Sequence, residues 1–131
     1  MAEVPLLYFG FLRNIIRFIA NSSAGPNRTY CRLMDIDAIH KALANPVRRE
    51  ILAWLNEPGV YFSEQDMLLE NGVCAGQIYA RCNMSQSTVS AHLATLHKAG
   101  LVTSKKVGQW IFFKRDDAVI NAFLEQLHRT L

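Results

Sequence analysis

The sequence predicts a mainly α-helical fold carrying one small β-hairpin, and three observations support this. Apolar residues recur at helical spacing in several segments between residue 36 and the C-terminus. One stretch, Leu101 to Lys114, is instead β-rich and broken at Gly108-Gln109, which is a hairpin signal. Three cysteines in 131 residues are too few, and odd in number, for a dense disulfide framework. A chain of this length can bury a workable core without one.

The elements follow in order. Ile36, Ile39 and Leu43 fall on one helical face. Asn45-Pro46 restarts the chain, because Asn caps helices well and Pro suits the first helical position. Val47, Ile51, Trp54 and Leu55 form the next apolar stripe, and Glu57-Pro58-Gly59 ends it. Residues 56–72 hold few periodic hydrophobics and the acids Glu57, Glu64, Asp66 and Glu70. They read as a loop with at most one short helical turn, in which Tyr61 and Phe62 are candidates to shape a small-molecule pocket.

A short helix is expected over residues 73–82, then a tight turn at Asn83-Met84-Ser85. Ser85 caps the following helix, Gln86 to Lys98, whose buried face is Val89, Leu93 and Leu96. Gly100 supplies a left-handed stop. After the hairpin, a helix over about Asp117 to Thr130 starts with acids and ends with His128 and Arg129, the order that suits the helix dipole. A helix pair with a three-residue turn followed by a hairpin is the winged helix-turn-helix arrangement.

Residues 1–33 differ from residues 34–131. Leu6, Leu7, Phe9, Phe11, Leu12, Ile15, Ile16, Phe18 and Ile19 are interrupted by Arg13 and Arg17. The longest uncharged run, Val4 to Leu12, is far short of the roughly 20 residues a bilayer span needs, so no membrane span is expected. The cations follow the apolar run, the wrong order for a secretory signal. Residues 21–27 read as a linker. The segment is therefore either an upstream extension or an amphipathic arm that packs on a dimer or touches a membrane surface. A reducing, cytoplasmic setting is expected.

The formal charge of +3 comes from residues 1–33, where four Arg face Glu3 alone, while residues 34–131 carry ten Lys/Arg and ten Asp/Glu. Net charge is thus weak evidence for a nucleic-acid partner, and the placement of the cations must decide. The helix Gln86–Lys98 offers such a place. With Val89, Leu93 and Leu96 inward, Gln86, Ser87, Ser90 and Ala91 face away, Thr88 lies nearby, and Ser85 sits at the cap. Short hydroxyl and amide side chains can bond base edges and phosphates without holding the helix out of a groove. Lys105 and Lys106 on the first strand, Gln109 at the tip, and Lys114 and Arg115 closing the second strand make the hairpin basic. His92 on the same helix either reaches DNA or packs.

Four motifs occur in order: Ala44-Asn45-Pro46-Val47-Arg48-Arg49-Glu50-Ile51-Leu52, Met84-Ser85-Gln86-Ser87-Thr88-Val89-Ser90-Ala91-His92-Leu93, Leu96-His97-Lys98-Ala99-Gly100-Leu101-Val102, and Gly108-Gln109-Trp110. Together they resemble the ArsR/SmtB family of bacterial repressors, over about Asp35 to Leu131. The resemblance implies a winged-helix repressor that binds double-stranded operator DNA as a homodimer and leaves it when a signal binds. It implies pairing through the first and last helices, and adds Arg48 to the candidate DNA contacts. The last helix fits such pairing, because Val119, Ile120, Phe123, Leu124, Leu127 and Leu131 are more apolar surface than one face needs.

Many members of that family sense thiophilic metals through a Cys-x-Cys pair. Here Cys74 fits one position but Gly76 stands at the other, and one thiolate makes no tight cage. Cys82 falls at a core position, and Cys31 lies in the arm, where a Cys31–Cys74 site is conceivable. The family's other site, on the last helix, is missing, since Val119 and Thr130 stand at its His positions. No cofactor is implied. Cys74 remains a candidate redox-sensor thiol. A winged-helix module that binds protein instead of DNA is the alternative class, supported only by the neutral balance over 34–131. Catalysis is not expected: the chain has no Gly-rich phosphate loop, no His-Glu-x-x-His and no convincing nucleophile–base pair.

Overall fold

Helix α1 (Ile36–Leu43) begins where the Asp35 carboxylate accepts the Ala38 N–H at 2.9 Å. This computed structural model describes residues 34–63 and 69–131. The calls on residues 1–33, including Cys31, and those on Glu64 and Asp66 lie outside the described residues.

Ile39 and Ala42 of α1 are fully buried, with Ile36 and Leu43 packed at the margin. Helix α2 (Pro46–Asn56) is capped by Asn45, whose Oδ1 accepts from Val47 N and Arg48 N at 2.9 and 3.3 Å. Its buried stripe is Ile51, Leu52, Trp54 and Leu55. The described parts of the expected loop hold two short helical turns. A four-residue helix α3 (Pro58–Tyr61) follows Glu57 at once, and a 3-10 turn spans Leu69–Asn71.

The next segment corrects the expectation of a helix from residue 73. Val73 and Cys74 form a short strand β1, and helix α4 (Ala75–Cys82) starts only after it. Gly72 sets this up at φ +101°, and a Cβ there would fall 2.3 Å from the Phe113 carbonyl oxygen. Only glycine permits that backbone approach. A two-residue strand has no alternation to read, which is why its apolar Val73 passed for the start of a helix.

Asn83, left-handed at φ 50°, ends α4, and α5 (Gln86–Lys98) begins three residues later. At the far end of α5, Leu101 N donates to Leu96 O and Gly100 N to His97 O, both at 3.0 Å, with Gly100 at φ +80°. This double bond pattern around a left-handed glycine is the Schellman stop. Strands β2 (Val102–Val107) and β3 (Trp110–Arg115) pair antiparallel around Gly108-Gln109, with Val107 opposite Trp110. Because β1 also pairs with β3, the sheet has three strands in the order β1-β3-β2, and the expected hairpin is its larger part.

Helix α6 (Asp117–Thr130) starts where the Asp116 carboxylate accepts Val119 N at 3.1 Å. Its Phe123 is buried and meets the His40 ring edge-on at 5.3 Å, which sets α6 beside α1. The core joins these elements through Ile39, Ile51, Ile78, Val89, Leu93, Leu96 and Leu101, each at most 1 % exposed. Among the described residues, no polar side chain is buried in it. No helix of the described residues is long and apolar enough to cross a membrane.

Candidate nucleic-acid interface

Helix α5 is buried along one stripe. Val89, Leu93 and Leu96 lie in the core, which leaves Ser85, Gln86, Ser87, Thr88 and Ala91 exposed at its N-terminal edge. The Ser85 hydroxyl organises this edge. It accepts Thr88 N at 3.3 Å and lies 2.6 Å from Thr88 Oγ1 and 3.3 Å from Ser87 Oγ. The result is a cluster of hydroxyls at the positive end of a 13-residue helix, a place that favours an anion.

Two predicted contacts on α5 are placed differently from the rest. Ser90 is half-buried, and its Oγ lies 3.0 Å from the Tyr79 hydroxyl of α4. Rather than facing outward, it joins the two helices of the helix-turn-helix, because α4 crosses α5 on that flank. His92 is half-buried as well, with Nδ1 3.3 Å from an Arg48 Nη. An arginine can only donate, so Nδ1 is the acceptor and a neutral ring carries its proton on Nε2.

Arg48 is engaged on three sides. Its Nε donates to Ala42 O at 2.6 Å and its Nη2 to Lys41 O at 2.9 Å, besides the contact with His92. These are end carbonyls of α1, and Lys41 O also accepts the N–H of the C-cap Ala44 at 3.3 Å. One guanidinium on α2 therefore ties α1 to α5. The neighbouring Arg49 donates to Leu43 O at 2.6 Å in the same manner.

On the wing, Lys106, Gln109 and Lys114 are exposed. Lys105 donates to Asn71 Oδ1 at 2.9 Å, while Arg115 is paired with Asp117 at 2.6 Å. The turn combines a left-handed Gly108, φ +62°, with an ordinary Gln109, the φ pattern of a type II′ hairpin turn. Overall neutrality hides a segregation of charge. Residues 71–115 contain Arg81, Lys98, Lys105, Lys106, Lys114 and Arg115 and no Asp or Glu. That acid-free run covers the helix-turn-helix and the whole sheet, and was readable in the sequence had charge been counted by segment.

The candidate sensor positions are also placed. Cys74 is half-buried on β1, opposite Phe112. Cys82 is half-buried against the core, where desolvation and then the Glu50 carboxylate push its thiol pKa up. A protonated thiol is a poor nucleophile and a poor metal ligand. Among the described residues, no three His, Cys, Asp or Glu side chains group as a metal site. The Arg81 guanidinium lies 5.0, 4.9 and 5.8 Å from the Trp54, Tyr61 and Phe62 ring centroids and donates to Tyr61 O. This cation–π contact fixes α4 to α2 and α3.

Residues 66–104 match the profile described as bacterial regulatory protein, arsR family. The chain is 37% identical over 91 residues to the HTH-type transcriptional regulator YbzH of Bacillus subtilis, covering 68% of this chain and 91% of that one. The chain belongs to the ArsR family. It is also 36% identical over 89 residues to the transcriptional activator HlyU of Vibrio cholerae, covering 68% and 70% of the two chains. A solved structure of HlyU from that organism superposes with a TM-score of 0.51 at 30% identity, over 82% of this chain and 97% of that one. The homodimeric winged helix-turn-helix DNA-binding domain of Mb0332 from Mycobacterium bovis, a possible ArsR-family regulator, gives 0.53 at 25% identity, over 82% and 90%. This ArsR-family protein is accordingly a DNA-binding transcriptional regulator with a winged helix-turn-helix fold, in a class of proteins that are not enzymes.

Proposed function

We propose that this ArsR-family chain represses transcription by seating the N-terminal edge of α5 in the major groove of an operator. Ser85, Gln86, Ser87 and Thr88 make the contacts to base edges and phosphates. Ser90 and His92 act from behind, through Tyr79 and Arg48, by fixing how α5 projects. Lys105, Lys106 and Gln109 engage the backbone beside the major-groove site. The observation that carries this reading is the one-sided burial of α5: a stripe at most 1 % exposed and, opposite it, an uncovered hydroxyl and amide edge.

A homodimer through α1 and α6 completes the reading. The two helices lie side by side through the His40–Phe123 contact, and Leu124 of α6 is 55 % exposed. Homodimerisation of the similar winged helix-turn-helix domain from Mycobacterium bovis supports a dimer. A second subunit on that face would cover Leu124 and present two α5 helices to successive turns of one duplex.

The test is a Gln86→Ala/Ser87→Ala double variant, measured by fluorescence anisotropy against duplex that the wild-type protein selects from a random-sequence pool. Both side chains are exposed, so the fold stays intact by circular dichroism. Affinity is expected to fall at least about tenfold, the cost of losing one or two base-edge bonds. Unchanged affinity with an intact fold would overturn the assignment of α5.

A further inference from the structure

The contact between His92 and Arg48 exists in only one protonation state. His92 Nδ1 lies 3.3 Å from an Arg48 Nη, and an arginine can only donate, so the ring must accept. An imidazolium carries two N–H donors and no acceptor, so the contact requires a neutral ring. The other histidines set no such condition. His97 Nε2 lies 3.4 Å from the Ser104 hydroxyl, which accepts as readily as it donates, so either state of that ring is served. His40 meets the Phe123 ring edge-on, a contact that calls for no acceptor nitrogen.

A proton on His92 sets two cations against each other, and the surroundings decide which gives way. Arg48 is anchored by Ala42 O at 2.6 Å and Lys41 O at 2.9 Å, and its guanidinium keeps its charge. Among the described residues, neither Arg48 nor His92 pairs with a carboxylate. The elements packed around α5 offer no relief. Helix α4 and strand β2 carry no acid and add the cations Arg81, Lys105 and Lys106. On α1, Asp37 and Lys41 are exposed. On α2, Arg49 is bonded to Leu43 O, and the exposed Glu50 acts on Cys82. The α6 acids Asp117 and Glu125 pair with Arg115 and Arg129. The charged ring of His92 therefore leaves Arg48, and α5 loses its tie to α1.

We propose that His92 makes operator binding proton-sensitive: the neutral ring, held by Arg48, keeps α5 at the angle that reads the duplex, and protonation frees α5 from α1 and the protein from its operator. This inference deepens the α5 reading proposed above and rests on it. The effector is then the hydrogen ion, acting in the span of about pH 5 to 8 where imidazoles titrate. The bound form needs the neutral ring, so binding expels a proton from the acid form and affinity falls as the pH falls.

The test measures the affinity of the full-length protein for a rhodamine-labelled selected duplex by anisotropy, at about pH 7.5 and about pH 5.5 and constant ionic strength. Wild-type affinity is expected to fall about five- to tenfold in acid, the effect of exchanging one hydrogen bond for a like-charge contact at a half-buried site. His92→Asn puts an oxygen acceptor where Nδ1 stood and does not titrate. Whatever its affinity at the higher pH, its own change between the two conditions is expected to stay under about twofold. His92→Gln serves as the second variant if the first fails to fold by circular dichroism. His97→Gln is expected to keep the wild-type pH dependence. A wild-type affinity that stays flat or rises in acid overturns the proposal, as does a fall that the His92 variants retain in full, and either result leaves the α5 reading standing. Absence of duplex binding by the wild-type chain at the higher pH would instead remove the α5 reading, and this one with it.

Discussion

Arg48→Ala is the perturbation that best isolates how α5 is positioned. The guanidinium makes three contacts of unequal weight. The bond to Ala42 O is short, 2.6 Å, and partly buried, so its loss costs close to the full value of a charged hydrogen bond, about 1.5–3 kcal/mol. The bond to Lys41 O is exposed, and water can replace it at little cost. The contact to His92 is long at 3.3 Å and adds a few tenths, or about 0.5 kcal/mol. Loss of the aliphatic stem against α1 adds a small packing term. The sum is about 2–3 kcal/mol. Urea unfolding followed by circular dichroism reads it directly. With a slope of about 1–3 kcal/mol per molar for a small protein, the midpoint falls by about 0.7–3 M. Lysine cannot span two carbonyls and a ring nitrogen from one point charge, so Arg48→Lys recovers less than half. A midpoint within about 0.3 M of wild type, or full rescue by lysine, would show that Arg48 does not tie α1 to α5.

Two further outcomes follow from local geometry. Gly72→Ala places a Cβ against the Phe113 carbonyl at a left-handed φ, so β1 must detach from β3. A loss of about 3 kcal/mol or more is expected, seen as a drop in Tm of more than about 10 °C, whereas a change under about 4 °C would contradict the close approach. Burial and Glu50 raise the Cys82 pKa above its ordinary value of 9.0, so the folded state favours the neutral thiol. That contribution to stability is complete below pH 9.0 and is lost as pH rises through the higher folded value. Iodoacetamide labelling of Cys82 followed by peptide mass spectrometry is therefore slower in the folded than in the urea-unfolded chain near pH 9. Equal rates would remove the pKa argument.

Much of the fold was legible because its signals are local. Asn45-Pro46, Ser85 and Gly100 announce their caps through chemistry confined to one turn, and the stripe Val89, Leu93, Leu96 fixes which face of α5 is buried. The features that escaped reading depend on distant partners. Strand β1 exists because Phe113, forty residues downstream of Val73, offers an edge to pair with. Ser90 was read as free since its helical phase is right, yet Tyr79 on the preceding helix claims its hydroxyl. Arg48 entered as a candidate DNA contact through the family resemblance, and its bonds to two carbonyls of α1 could not be read from its own segment. The contact of Arg81 with the Tyr61 and Phe62 rings also joins residues some twenty positions apart. In each case the partner that decides the outcome lies outside the local sequence window.

The most direct measurement of the groove assignment is dimethyl sulfate protection of a selected duplex, because guanine N7 reports the major groove and adenine N3 the minor groove. With α5 seated as proposed, the bound protein shields guanine N7 in patches about one helical turn apart, with adenine N3 shielding confined to the flanks beneath the wing. Full occupancy of the duplex with every guanine N7 still reactive would contradict it.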